Sequence, residues 1–254
     1  MKKSVSALDH IRVVLSHTFH PGNIGAVARA MKTMGLSQLY LVNPTRYPDA
    51  EATTRATGAA DVLEQARVCA SLDEALQGTV LAVAATSRRR DLSHPLLTPR
   101  VAAPSLLAEA QHGEVALLFG AETSGLTNAE LDRRQMLVMI PSNPEFASLN
   151  LASAVQVLAY ELRTALPEGA LPVAEEERNL ASFEEVEGFY GHLEQSMLAS
   201  GFLDPASPKR LMHRLRRLFA RARLEREEVN ILRGILTSLN TVHGKKRSRE
   251  EENS

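Results

Sequence analysis

Five short runs constrain the fold more than any other feature of the chain. They are "IRVVL" (11–15), "LYLV" (39–42), "VLAVAA" (80–85), "VALLFG" (115–120) and "LVMI" (137–140). Each is apolar almost without interruption. A strand with one wet face alternates apolar and polar residues, so an unbroken run of this length reads as a strand covered on both faces. Helical patterns lie between the runs. "GNIGAVARAMKTMG" (22–35) repeats Ala26, Ala30, Met31 and Met34 at helical spacing and closes on Gly35, which suits a C-terminal cap. "SLDEAL" (71–76) opens with a Ser71–Glu74 capping-box spacing. "LNLASAVQVLAYELRTAL" (149–166) places Leu151, Val155, Leu158 and Leu162 on one face. Strands alternating with helices predict an α/β domain over residues 1–166, built on a mostly parallel sheet.

The pattern then stops. "LPEGALPVAEEER" (166–178) carries two prolines, a glycine and an acidic run, and predicts a linker over 167–181. Residues 182–243 give no strand signal and predict a small all-helical domain. Ser182 and Glu185 form a capping box, and Ser207-Pro208 reads as an N-cap with proline at the first helical position. The helix that follows sets Leu211, Leu215, Leu218 and Ala222 along one face, and "REEVNILRGILTSLNTV" (226–242) is a third helix. Residues 244–254, "GKKRSREEENS", read as a disordered charged tail.

The formal net charge of the 254-residue chain is −1, but the charges are unevenly spread. Residues 172–204 hold eight acids and one base, whereas residues 209–233 hold nine Lys/Arg against three Glu. The second stretch is either a solvated helix surface or a patch for a polyanion. Aromatic residues make up only 4% and Trp is absent, which argues against base stacking as the main binding device. The single cysteine, Cys69, has no partner for an internal disulfide and reads as buried filler in a reducing compartment. No apolar run approaches the ~20 residues of a membrane span. "MKKSVSALDH" lacks the apolar segment of a secretory signal. The expected location is the cytoplasm, with no membrane partner.

Three segments are candidates for chemistry. Gly22 and Gly25 permit close approach at a helix start, where free N–H groups attract anions, and Arg29 follows one turn later. Arg29 is either a surface cation or a group facing a phosphate or a developing oxyanion. "ATSRRRDL" (85–92) lies just past a strand's carboxyl end, where open α/β sheets bind ligands. There Thr86 and Ser87 can meet a polar edge, and Arg88, Arg89 and Arg90 can meet phosphates. "FGAETSGL" (119–126) and "IPSNPEFASLNLASAV" (140–155) each join a strand to a helix through small residues and carry no basic phosphate clamp. That suits a ligand with an adenosine part and no polyphosphate. Nothing has the spacing of a metal site, and Ser148 has no obvious base.

Taken together, "NIGAVARAMKTMG", "LLFGAETSGLTNAEL" and "IPSNPEFASLNLASAVQVLAYE" resemble the three motifs of the SPOUT methyltransferases. The group most resembled is the bacterial TrmJ type, tRNA ribose-2′-O methyltransferases acting at position 32 of the anticodon loop. The helical segments "FYGHLEQSMLASGF" and "LRRLFARARLEREEVNILRGIL" resemble that group's C-terminal extension. The resemblance implies a C-terminal trefoil knot in the sheet domain, an exception to the unknotted rule. It implies a bent S-adenosylmethionine lined by Thr86, Ser87, Arg88, Gly120, Ile140, Ala147, Ser148 and Leu149. It implies Arg29 and Ser148 as catalytic residues, and a homodimer through the knotted domain. tRNA is then the substrate, held by Arg29, Arg89, Arg90, Arg214, Arg216 and Arg217, with no DNA and no metal expected. Other readings remain: a ribose methyltransferase of another RNA such as rRNA, a non-catalytic RNA-binding protein with a relic pocket, and a small-molecule α/β enzyme with a nucleotide cofactor.

Overall fold

The structure, a computed structural model, describes residues 6–87, 96–166, 179–206 and 210–251. Arg88, Arg89, Arg90, most of the expected linker and the Ser207-Pro208 cap lie outside the described residues. The chain divides into two compact units, Met1–Glu177 and Arg178–Ser254.

The first unit begins with a 3-10 turn, Ala7–His10, capped by Ser6. Then come β1 (Ile11–Ser16), α1 (Pro21–Met34), β2 (Gln38–Val42), α2 (Ala50–Ala56), α3 (Ala60–Glu64), β3 (Arg67–Cys69), α4 (Leu72–Leu76) and β4 (Thr79–Ala85). After these come β5 (Leu96–Leu97), α5 (Pro99–Glu109), β6 (Glu114–Phe119), α6 (Asn128–Leu131), β7 (Met136–Val138) and α7 (Leu151–Thr164). The seven strands form one sheet in the order β3-β2-β1-β6-β4-β7-β5. Every pairing is parallel, as the unbroken apolar runs require.

All five expected strands are present. The register aligns Leu15 with Phe119, Ala84 with Leu118 and Ala85 with Val138. The carboxyl ends of β1, β6, β4 and β7 therefore come side by side although they lie far apart in the chain. Two strands escaped the sequence reading. β3 exposes Val68 at 55%, and β5 is two residues long at the sheet edge. Neither has a run long enough to register. Helix α5 was hidden by its own prolines: Pro99 opens it and Pro104 sits inside it.

Leu151, Val155, Leu158 and Leu162 of α7 are all buried, as the spacing predicts, and α7 packs on α1 and α5. Gly35 ends α1 at φ 88, and its N–H returns to the carbonyls of Met31 and Lys32. Cys69 is buried, and burial pushes its thiol above the ordinary value, as suits inert filler. At the amino end of the sheet, the buried Arg12 side chain donates to the carbonyl oxygens of Gln77 (2.6 Å) and Ala75 (3.3 Å) and to Glu114 (3.3 Å).

In the second unit, α8 (Phe183–Ala199), α9 (Leu211–Ala222) and α10 (Arg226–Glu251) surround a small aromatic core. The Ser182–Glu185 capping box is formed. Phe189 is 1% exposed and meets Phe219 edge-on at 4.8 Å. The inward stripe of α9 differs from the expected one. Met212 and Phe219 pack inward, and Leu218 is 49% exposed. The helix has two overlapping stripes one residue apart, and the one containing the large aromatic ring turns inward, partly buried. Helix α10 also continues through Glu251 instead of breaking into a tail near residue 244. The Lys, Arg and Glu of that stretch are good helix formers with no proline among them.

Gly25 tests the packing of the first unit. A Cβ there would lie 2.0 Å from the Ala52 carbonyl oxygen of α2. Alanine favours a helix over glycine by about 1 kcal/mol, but a backbone carbonyl cannot swing aside as a side chain can. Gly25→Ala is therefore expected to destabilise the protein by about 1–3 kcal/mol. The check is the urea midpoint by circular dichroism, and an unchanged midpoint would contradict the close approach.

Candidate functional site

The aligned carboxyl ends of β4, β6 and β7 open into a single cleft. Ala85, Thr86 and Ser87 line it from β4, and the segment Phe119–Leu126 lines it from β6. Val138 and Ile140 contribute from β7, and Ala147, Ser148, Leu149, Leu151 and Ala154 from the approach to α7 and its first turn. Of the residues singled out by sequence for a cofactor, Thr86, Ser87, Gly120, Ile140, Ala147, Ser148 and Leu149 all meet here. Arg88 lies outside the described residues. Arg29 does not line the cleft; it is exposed on α1. Ser148 is exposed at the rim and makes no hydrogen bond among the described residues.

The cleft is held open by an internal carboxylate. Glu122, in the loop after β6, accepts hydrogen bonds from the backbone N–H groups of Phe19 (3.0 Å) and His20 (3.1 Å). It also accepts one from the Asn23 side-chain amide at 2.9 Å. The Asn23 carbonyl in turn accepts from the Asn150 amide at 3.0 Å, and the Asn150 carbonyl oxygen caps α7 through Ala152 N–H at 2.9 Å. One chain of bonds thus fastens the starts of α1 and α7 to the loop after β6. This corrects the sequence reading of the α1 start. The anion there is the protein's own Glu122, which also suits the positive end of the helix dipole. Gly22 and Gly25 face Glu51 and Ala52 of α2, not a ligand.

Gly120 is likewise constrained by its own loop. A Cβ would stand 2.1 Å from the carbonyl carbon of Gly125 and the nitrogen of Leu126. The loop turns back on itself, with Gly125 N–H donating to Ala121 O at 2.8 Å and Gly125 at φ 68. A residue with a side chain at 120 cannot keep this hairpin-like turn. Beside it, Glu130 completes a capping box with Thr127 at α6 and accepts from Ser16 Oγ, with His17 at 3.7 Å.

Asn23, Glu122 and Asn150 lie within the resembling motifs, without a role expected from sequence. Their amide and carboxylate side chains at strand–helix junctions were the available signal. Burial pushes the Glu122 carboxyl up, but the donors from Phe19, Asn23 and His20 outweigh it and hold it below the usual range. Among the described residues no cluster of His, Cys, Asp and Glu could hold a metal. The cleft's apolar lining, with no lysine or arginine among its described residues, fits an adenosine-bearing ligand without a polyphosphate.

The SpoU rRNA Methylase family model matches residues 10–160. The chain belongs to the SpoU methylase family. The tRNA methyltransferase TrmJ C-terminal domain model matches residues 184–252, so the second unit is also a family module. The chain is 51% identical over 238 residues to the Pectobacterium atrosepticum tRNA (cytidine/uridine-2′-O-)-methyltransferase TrmJ, covering 93% of this chain and 99% of that one. It is 51% identical over 245 residues to the Pseudomonas aeruginosa tRNA (cytidine/uridine/adenosine-2′-O-)-methyltransferase TrmJ, covering 92% and 95%. Among solved structures, TrmJ from Z. mobilis superposes with a TM-score of 0.79 at 35% identity, covering 90% of this chain and 98% of that one. The sheet domain is the SPOUT fold of this SpoU family.

The family's cleft here depends on a charged Glu122. Its folded-state pKa is lowered, so its stabilisation is present above the unfolded carboxyl value of about 4.3 and is lost as pH falls through the folded value. Glu122→Gln is expected to lower the melting temperature at pH 7 and to flatten the loss of stability as pH falls below the ordinary carboxyl value of about 4.3. Melting curves across that range decide it. A variant whose acid limb matches the parent's would remove Glu122 from this account.

Proposed function

We propose that this protein transfers a methyl group from S-adenosylmethionine to the ribose 2′-oxygen of cytidine or uridine at position 32 of the tRNA anticodon loop. The observation that carries this reading is the tandem of a SpoU methylase domain and a TrmJ C-terminal domain in one chain, over nearly the full length of relatives named for tRNA 2′-O methylation. The family description names rRNA, which favours rRNA as the second reading; the C-terminal module weighs toward tRNA.

S-adenosylmethionine, when bound, supplies a methyl already activated on a positive sulfonium. Thr86, Gly120, Ile140, Ala147, Ser148 and Leu149 are the residues to hold it, through backbone groups and apolar contact. Leu126, Leu131 and Leu151 give the cleft its apolar side and limit water. Arg29 orients the 2′-oxygen or its neighbouring phosphate and stabilises developing negative charge; a guanidinium stays protonated and is no general base. Ser148 positions the nucleophile. The second copy of a homodimer is part of this proposal. Its support is that Arg29 stands exposed and outside the cleft of its own chain, on a helix that packs with α7. The family's trefoil knot and a cytoplasmic location with the substrate complete it; no helix among the described residues is long and apolar enough to cross a membrane.

The test is incubation with unmodified tRNA and labelled cofactor, followed by mapping of the modified nucleotide. Label at a 2′-oxygen other than position 32, or in rRNA alone, rejects the assignment. Arg29→Ala is expected to bind cofactor normally by calorimetry and to lose about 10²-fold or more in turnover, as for one preorganised charge-stabilising donor. Near-normal turnover in the folded variant would remove Arg29 from the chemistry.

The arginines of α9 divide into two kinds. Arg216, expected at the tRNA, is held by Glu187 (2.5 and 2.8 Å), and its guanidinium carbon lies 4.4 Å from the Tyr190 ring centroid. It braces the helical unit. Burial pushes the Tyr190 phenol up to about 12, so it remains a neutral donor to the Arg216 carbonyl. Arg214 is exposed and Arg217 half-buried, and neither has an ion-pair partner among the described residues. Replacing Arg214 and Arg217 by Gln is expected to weaken tRNA binding and flatten its salt dependence by up to about two units of slope. The modified nucleotide should not change. Titrations at several salt concentrations measure this, and an unaltered slope would make both arginines mere surface charge.

A further inference from the structure

We propose that Phe146, with Phe19 as its companion, is a stacking surface for nucleobases that flank the methylated ribose. This rests on the ribose-methylation reading above and adds the residues that hold the substrate loop open.

Phe119, Phe183 and Phe189 are buried at 3%, 5% and 1% exposure. Phe146 is 79% exposed and Phe19 is 58% exposed. Both are tied to the cleft. Phe146 directly precedes Ala147, Ser148 and Leu149, which line it, and stands four residues before Asn150. Its backbone is held in a turn. Phe146 N–H donates to Asn143 O at 3.0 Å, Glu145 N–H to Asn143 Oδ1 at 3.0 Å, and Ser142 Oγ–H to Ala147 O at 3.2 Å. The ring is presented outward by a bonded loop. Phe19 donates its backbone N–H to Glu122, a cleft residue, and its ring meets His20 edge-on at 4.9 Å. The loops that carry the two rings are joined by the Glu122, Asn23 and Asn150 bonds.

A ribose 2′-oxygen inside a stacked RNA loop cannot be brought in line with a methyl donor in a cleft. The nucleotide must leave the stack, and its neighbours lose a partner. Single-stranded RNA bases that are splayed out are received on aromatic faces. A phenylalanine face reads no hydrogen-bonding edge, so it accepts different bases alike. The low aromatic content of the chain does not oppose this, because two rings placed at the site suffice.

The experiment uses the full chain with unmodified tRNA transcript and labelled cofactor, comparing Phe146→Ala, Phe146→Leu and Phe146→Tyr. The Ala and Leu variants are expected to lose about 10- to 100-fold in kcat/KM for tRNA, and the Tyr variant to stay within a few-fold of the parent. Phe19→Ala should give a smaller loss. A 2-aminopurine placed beside the target nucleotide should be quenched by the parent and by Phe146→Tyr, but not by Phe146→Ala. Cofactor affinity by calorimetry should be equal in all, which also verifies folding. A Leu variant as active as the Tyr variant overturns the proposal, since only greasy contact would be needed. Loss of cofactor affinity overturns it in favour of support for the cofactor loop. A change of mass by light scattering overturns it in favour of a contact between copies. A parent that methylates no tRNA sinks the functional reading itself, whereas a fully active Phe146→Ala beside an active parent sinks only this inference.

Discussion

The Glu122 carboxylate is the constraint on which the cleft depends. Three loops leave the carboxyl ends of strands that are distant in sequence, and parallel pairing alone would leave them independent. Glu122 takes the N–H groups just before α1 and the Asn23 amide, and Asn23 takes the Asn150 amide at the head of α7. A partly buried carboxylate loses hydration, and three donors replace it. Removing Asn23 leaves polar groups at two other loops without their partner, and removing Glu122 leaves three donors at the start of α1 without their acceptor. The arrangement is therefore fixed as a unit, and the cleft inherits that rigidity.

The sheet supplies the other half of the positioning. With β6 between β1 and β4, and β7 beyond β4, the loops after β4, β6 and β7 leave one edge of the sheet in one small area. Loop length does not enter. Gly120 shows how little space remains: the turn after β6 folds back until the backbone at 125–126 occupies the place of a side chain at 120. A glycine at the end of a strand is usually read as room for a ligand. Here its space is filled by the chain itself.

Much of this was legible in the residues. The central strands announce themselves because burial on both faces demands unbroken apolar runs, and α7 because its four leucine and valine positions fall on one stripe. The short edge strands β3 and β5 carry no such demand. The cleft residues from Thr86 to Leu149 were legible as strand ends and small-residue loops, helped by the motif resemblance. The Glu122 network was not, since a glutamate in a loop is ordinarily a solvated charge and only the fold brings its three donors to it. The face of α9 was misread for a related reason. Periodicity allowed either Leu211, Leu215, Leu218 and Ala222 or Met212, Arg216 and Phe219, and the choice depended on Glu187 and Tyr190 of another helix being there to receive Arg216.

The same observation bears on how affinity and chemistry are divided. A cluster of arginines seen in sequence suggests a uniform basic surface. In the folded unit, one of the three is spent on internal cohesion, stacked on an aromatic ring and paired with a carboxylate, where a lysine would not fit the planar geometry. The others remain at the surface, where charge adds sequence-independent attraction for phosphate. The cleft, by contrast, has no lysine or arginine among its described lining residues. On the proposed function, Arg214 and Arg217 of the second unit add phosphate attraction that is separate from the cofactor cleft of the first. A substitution at either arginine can then alter how tightly RNA is held without altering which atom is methylated.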